Sequence, residues 1–243
     1  MTTETMTKPL TAFAFMSFDV VGTLIDFEAA ITGAMAAIAR EAGVDLDGEE
    51  ALSVYRAARY EPDAGLFPDD LGRCYSRIAA RFGLPDTAEL RARVVDAVGE
   101  ASPFPDSAEA LARLGKHYKL IAMTNARRWA FEKYEAKLGF PFWAGFTVDD
   151  TGTEKPDPAF FHKVFAHVEA TGGTADNILH TAQSQYHDIG ISRRLGMTNV
   201  WIERRHGQAG YGATIEPEAF TEPDYHFRSL MELADATERA AVT

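Results

Sequence analysis

Asp19 closes the apolar run FAFMSF and is followed by a Gly-Thr turn, in the stretch FDVVGTLID from 18 to 26. A carboxylate at the end of a buried strand can act as a nucleophile or simply cap the next element. Attack on tetrahedral carbon gives an ester that water then cleaves at its carbonyl, which splits one hard substitution into two easier steps. Two residues further on stands Val21, not a second acid, and Thr23 in the turn can hydrogen-bond an Asp19 oxygen and hold it for attack. Thr124 and Asn125 end another apolar run, KLIAMTN, and can donate to the nucleophile or the leaving group, although short polar residues after a strand are also ordinary turn formers. Arg56 and Arg59 are candidate partners for a substrate carboxylate, which guanidinium forks match, whereas Arg127 and Arg128 are expected to face water. His180 and His187 have no third nitrogen or sulfur ligand at useful spacing, which speaks against zinc, and His187 beside Asp188 could relay a proton. The glycines of RRHGQAGYG follow a strand without opening a helix, so they form no dinucleotide fingerprint and read as a loop over the rim of the site.

These residues can meet only if the chain folds in one particular way. Residues 12–18, KLIAM, NILHTA and NVWIE are short apolar runs of the kind found in strands buried on both faces. Between them lie helical patterns: SAEALARLGKH with Ser107 as a cap, RRWAFEKYEAKLG and DPAFFHKVFAHVEA. Strands alternating with helices predict right-handed crossovers and a doubly wound, Rossmann-like parallel sheet, with its site at the carboxyl ends of the strands. Residues 28–102 break the alternation. Ile31, Ala34, Met35 and Ile38, then Leu71, Tyr75, Ile78 and Phe82, show helical spacing closed by Gly43 and Gly83. The expected organisation is a loose tail over 1–10, an α/β core over 11–27 and 103–243, and an inserted helical cap over 28–102.

With 243 residues, 46% of them hydrophobic and 25% charged, the chain can bury a full core and one modest insertion. A formal net charge of −12 excludes nucleic acid and anionic membranes as expected partners, since either calls for a basic face. The single cysteine, Cys74, can form no internal disulfide, and the opening MTTETMTKPL lacks the apolar core of a signal peptide, so a cytoplasmic protein with no membrane span is expected.

A strand ending in Asp-x-x-Gly-Thr, a second ending in Thr-Asn, a later Lys-Pro at Lys155 and an acid after the fourth strand, Asp188, together resemble the haloacid dehalogenase superfamily. The run ILHTAQSQYHD and the segment VWIERRHGQAGYGAT are similar to those of L-azetidine-2-carboxylate hydrolases and, more loosely, of 2-haloacid dehalogenases, both of which attack carbon. The resemblance implies an α/β core with a helical cap, Asp19 as the nucleophile, Lys155 beside it, and Asp188 orienting Lys155 or the hydrolytic water. A solvated Lys155 and a helix-capping Asp188 are the plain alternatives. Phosphatases of this superfamily carry an acid where this chain has Val21 and a metal-binding acid where it has Ser184, so no metal and no cofactor are expected. The carbon-attacking relatives carry Tyr at the place of Val21. Phe27 and Phe161 match pocket-lining positions, Gln183 and Gln185 fall where dehalogenases place Ser and Asn, and a cap arginine near Arg56 takes the substrate carboxylate. The expectation is a metal-independent hydrolase of a small 2-substituted carboxylate, with ring opening of L-azetidine-2-carboxylate first and S-2-haloacid dehalogenation next. A magnesium phosphatase and a non-catalytic binding protein are the rivals. Relatives often pair through their caps, so a homodimer is compatible with the sequence.

Overall fold

The computed structural model describes residues 8–242. Most of the stretch expected to be a tail, 1–7, lies outside the described residues; Leu10, at its end, opens a short 3-10 turn, is buried, and accepts a hydrogen bond from the Tyr118 hydroxyl.

Strand β1 (Phe15–Asp19) is buried along its whole length and is followed by the helices α1 (Phe27–Ala42), α2 (Gly48–Arg59), α3 (Leu71–Phe82) and α4 (Ala88–Gly99). The chain then runs through α5 (Ser107–Leu114), β2 (Lys119–Met123), α6 (Arg128–Lys137), β3 (Ala144–Phe146), α7 (Val148–Thr151) and α8 (Pro158–Ala170). It ends with β4 (Ile178–Ala182), α9 (Gly190–Arg194), β5 (Thr198–Ile202), β6 (Tyr225–Phe227) and α10 (Leu230–Val242). The six strands among the described residues are all parallel, in the order β3-β2-β1-β4-β5-β6. This is the Rossmann-like doubly wound sheet. The order reverses at β1, so the carboxyl ends of β2, β1 and β4 lie side by side, with Asp19 level with Met123.

Alternation along the strands feeds two cores. Phe15, Ile121 and Met123 pack with Phe160, Phe161, Val164 and Val168 of α8. Met16, Phe18, Leu120 and Ala122 face the other way, onto α5 and α10. Each fully buried large apolar side chain of this kind contributes about 1.5–3 kcal/mol. The helices after β1 follow the spacing in the sequence. Asp26 caps α1 by accepting from the Ala29 amide, Gly43 ends it with a φ of 67°, and Ile31, Met35 and Ile38 are buried, with Ala34 at the margin. Ser107 does not cap α5. Asp106 holds the cap position, while the Ser107 hydroxyl donates to the Leu24 carbonyl and ties α5 to the loop after β1.

Candidate active site

The turn after β1 aims Asp19. Gly22 adopts a φ of 94°, which an L side chain resists, and its placement lets the amides of Leu24 and Ile25 both reach the Val20 carbonyl. Thr23 is thereby brought back onto the strand end, where its hydroxyl donates to Asp19 Oδ2 at 2.6 Å while accepting from the Gln183 amide at 2.9 Å.

On the other side Lys155 Nζ donates to Asp19 Oδ1 at 2.9 Å, to Asp188 Oδ1 at 2.7 Å and to the Met123 carbonyl at 2.9 Å. Its three protons are therefore fully used. Asn125 lines the cavity but makes no hydrogen bond to Asp19; it holds the lysine instead, its side-chain amide donating to the Lys155 carbonyl at 2.9 Å and its oxygen accepting from the Lys155 amide at 2.7 Å. Asp188, in a π-helical turn over Gln185–Ile189, also accepts from His180 Nε2 at 3.0 Å, and His180 Nδ1 lies 2.8 Å from the Ser17 hydroxyl. A carboxylate only accepts, so Nε2 carries a proton and donates it to Asp188. The result is a buried chain from Ser17 through His180, Asp188 and Lys155 to Asp19.

Burial drives these groups in different directions. It lifts the Asp19 carboxyl above the usual range, opposed by Lys155 and reinforced by the Asp188 charge. Asp188 is held down to about 2, because Lys155 and His180 outweigh its burial. Burial works against the Lys155 ammonium, but two carboxylates raise its pKa and keep it charged. Burial also pushes His187 down to about 4, so it is neutral at neutral pH.

A cavity of about 550 Å³ opens onto Asp19. Val21, Phe27, Thr124, Asn125, Gln183 and His187 line it, and the helical segment adds Tyr55, Arg59, Tyr60 and Phe67. The ring of Phe27 meets Phe67 edge-on at 5.9 Å, and Tyr60 meets Tyr186 at 6.4 Å, giving an apolar wall. The loop after β5 closes one side with Ala213 and Thr214. Glu28 of α1 accepts from the Ala213 amide at 2.9 Å and pairs with Arg205, and Arg56 of α2 donates to the Gly212 carbonyl.

Three expected pocket residues are elsewhere. Arg56 fastens that loop and does not line the cavity; Arg59, one helical turn on, does, with its guanidinium on Asp70 at 2.7 Å and on the Gly65 carbonyl at 2.7 Å. Phe161 is fully buried beneath the site, its ring edge-on to His180 at 5.5 Å, because α8 turns that face onto the sheet. Gln185 points away, accepts from the Thr221 amide at 3.0 Å, and lines a separate cavity with Trp201. Sequence reasoning missed His180 and Ser17 as site support. Their signal was a polar residue inside an apolar strand run, and the register sets the two directly opposite each other.

The residues present do not suit a divalent ion. Asp19 and Asp188 share one ammonium through their Oδ1 atoms, Val21 and Ser184 add no carboxylate, and among the described residues no group of three or more His, Cys, Asp or Glu is placed to hold a metal. No helix among the described residues is long and apolar enough to cross a membrane.

A family model for haloacid dehalogenase-like hydrolases matches residues 16–179, well over half of the chain. No curated protein matches it in sequence. Among solved structures the chain is similar to the HAD-hydrolase YfnB from Bacillus subtilis bound to magnesium, at 20% identity and TM-score 0.74, covering 93% of this chain and 99% of that one. It is similar to the L-2-haloacid dehalogenase PA0810 at 21% identity and TM-score 0.74, covering 95% of this chain and 100% of that one. It is similar as well to the L-2-haloacid dehalogenase from Xanthobacter autotrophicus at 19% identity and TM-score 0.73, covering 93% and 98%. At such identities these likenesses speak for the fold.

Proposed function

This chain belongs to the haloacid dehalogenase-like hydrolase family, and from that premise we propose that it breaks a carbon–heteroatom bond in a small 2-substituted carboxylate through an ester on Asp19. One observation carries the reading: Asp19 is gripped at one oxygen by Lys155 and at the other by Thr23, with the hydrocarbon of Val21 where an acid would be needed to protonate a departing alkoxide. A strained ring amine, already protonated, leaves as an amine with relief of strain, and a halide leaves without any proton. Ring opening of L-azetidine-2-carboxylate is the reaction we favour. In it an Asp19 oxygen bonds to C2 as the C2–N bond breaks and nitrogen keeps the electron pair. Water then adds at the Asp19 side-chain carbonyl carbon and the acyl C–O bond breaks: the oxygen that attacked C2 leaves as the product hydroxyl with one proton of water, the water oxygen stays in the Asp19 carboxylate, and the other proton ends on the freed amine. Lys155 offsets the carboxylate charge between turnovers, and Arg59 is the cavity cation left to meet the substrate carboxylate. Dehalogenation of an S-2-haloacid is the second reading, favoured by the likeness of the fold to two L-2-haloacid dehalogenases.

The test is turnover of L-azetidine-2-carboxylate, S-2-chloropropionate and an aryl phosphate, with and without chelator, in heavy-oxygen water. Repeated cycles are expected to label the Asp19 side chain, and Asp19→Asn to abolish turnover of the carboxylates. Chelator-sensitive turnover of the phosphate alone, or labelled product with an unlabelled Asp19, overturns the proposal.

A further inference from the structure

Four carboxylates, Asp19, Glu154, Asp157 and Asp188, line the main cavity, against two cations, Arg59 and Lys155. Both cations are already engaged. Lys155 is shared by Asp19 and Asp188, and Arg59 bonds Asp70 at 2.7 Å. Asp157 is turned to its own helix, accepting from the Ala159 amide at 2.8 Å and from Thr153 at 3.0 Å. Asp188 also keeps a buried oxygen without a hydrogen bond, Oδ2, but its other oxygen is bound to Lys155, whereas no hydrogen bond from either cation reaches Glu154. Its Oε1 is shut off from solvent, accepts no hydrogen bond and pairs with Arg59 Nη2 only loosely, at 3.8 Å, while the rest of the side chain is about a third exposed and opens to the cavity. A carboxylate oxygen in such a place loses its hydration with no replacement, so it is costly unless a donor arrives. Burial raises the Glu154 carboxyl accordingly, against the opposing pull of Arg59.

A plain anion brought to Arg59 lands beside that oxygen, in a cavity whose acids outnumber its bases, and is repelled. A molecule that carries its own positive nitrogen next to its carboxylate satisfies both groups at once. We infer that the cavity is built for a zwitterion, a cyclic 2-imino acid or 2-amino acid, and that Glu154 is the specificity residue that accepts its ammonium while Arg59 holds its carboxylate. This rests on the proposed action on 2-substituted carboxylates and narrows it to substrates with nitrogen at the scissile or adjacent position. The neighbouring walls agree with the assignment: the rings of Phe27 and Phe67 offer apolar faces to ring methylenes.

Binding separates this inference from the reaction. L-proline and (S)-tetrahydrofuran-2-carboxylate share ring size, configuration and carboxylate, neither has a strained bond to open, and only proline, with nitrogen in place of the ring oxygen, bears a cation. By titration calorimetry at pH 7 the protein is expected to bind proline at least tenfold more tightly than the furan acid. Glu154→Gln keeps the shape and removes the charge, so it should erase or reverse that ratio, with Glu154→Asp retaining part of it and thermal melting showing all three folded. Equal binding of the two acids by the unaltered protein, or an equal loss for both in Glu154→Gln, overturns the role of Glu154. Labelling of Asp19 is scored in a separate experiment, so failure of the zwitterion site and failure of the ester mechanism give different results.

Discussion

Replacing the two partners of Asp19 that carry opposite charge should move its titration in opposite directions. Lys155 Nζ reaches Asp19 Oδ1 at 2.9 Å and Asp188 Oδ1 at 2.7 Å, so both acids lie within hydrogen-bond reach of one nitrogen in a site that is almost dry. Lys155→Met removes the ammonium they share and leaves two buried carboxylates facing each other. A charge at such range shifts a carboxyl by about 1–3 pH units, so the acid limb of kcat/KM should rise by that amount. Breaking a buried pair in this way also costs about 3–5 kcal/mol of stability. Asp188→Asn removes the anion that lifts Asp19 while keeping an acceptor for Lys155 and His180, so the acid limb should fall, by about one unit at the low end of the same range. The assay is the pH dependence of kcat/KM, together with carbonyl NMR of 13C-aspartate-labelled protein to read Asp19 directly. Shifts of the same sign in the two variants, or none in either, refute the electrostatic account of the nucleophile.

Three further outcomes rest on where the side chains sit. Arg59→Ala should raise KM for a carboxylate substrate by roughly ten- to a hundredfold, the worth of a hydrogen bond to a charged group, while Arg56→Ala should leave KM nearly unchanged and instead expose the loop around Gly212 to protease. Phe161→Ala should lower stability by about 3–5 kcal/mol in chemical denaturation with little change in KM, since the ring is under the site and outside the cavity. For His187 the folded pKa, about 4, lies below its unfolded value of about 6.5. The unfolded chain therefore binds more protons between the two, and stability should decline as pH falls through that window. His187→Gln should flatten that part of the stability curve; an unchanged slope would show that His187 does not cause it.

Local pattern alone makes the layers of this protein legible. Continuous apolar runs mark β1, β2, β4 and β5, because a strand covered on both faces has no polar side to show. The helices after β1 are equally visible, since each buries one stripe and two of them end at a left-handed glycine, Gly43 or Gly83. Strands β3 and β6 escape such a reading because three residues are too few to display a period. The motif order around Asp19, Thr124, Lys155 and Asp188 points to one rim, because strands of a doubly wound sheet deliver their carboxyl ends to the same edge.

The amino-acid sequence by itself thus determined the alternation of strands and helices, the family membership and the aspartate at the tip of the first strand, all of which depend on neighbours within a few residues. Only the tertiary structure decided that Arg59 and not Arg56 faces the cavity, that Phe161 supports His180 from below, that Gln185 turns away, and that Glu154 keeps an oxygen without a hydrogen bond. Those outcomes depend on the angle at which α2 and the loop after β5 meet over the sheet, and a one-turn difference along a helix exchanges a latch for a wall. Contacts between residues more than a hundred positions apart, such as Glu28 with Ala213 or Lys155 with Asp19, set that angle, and no local period encodes them.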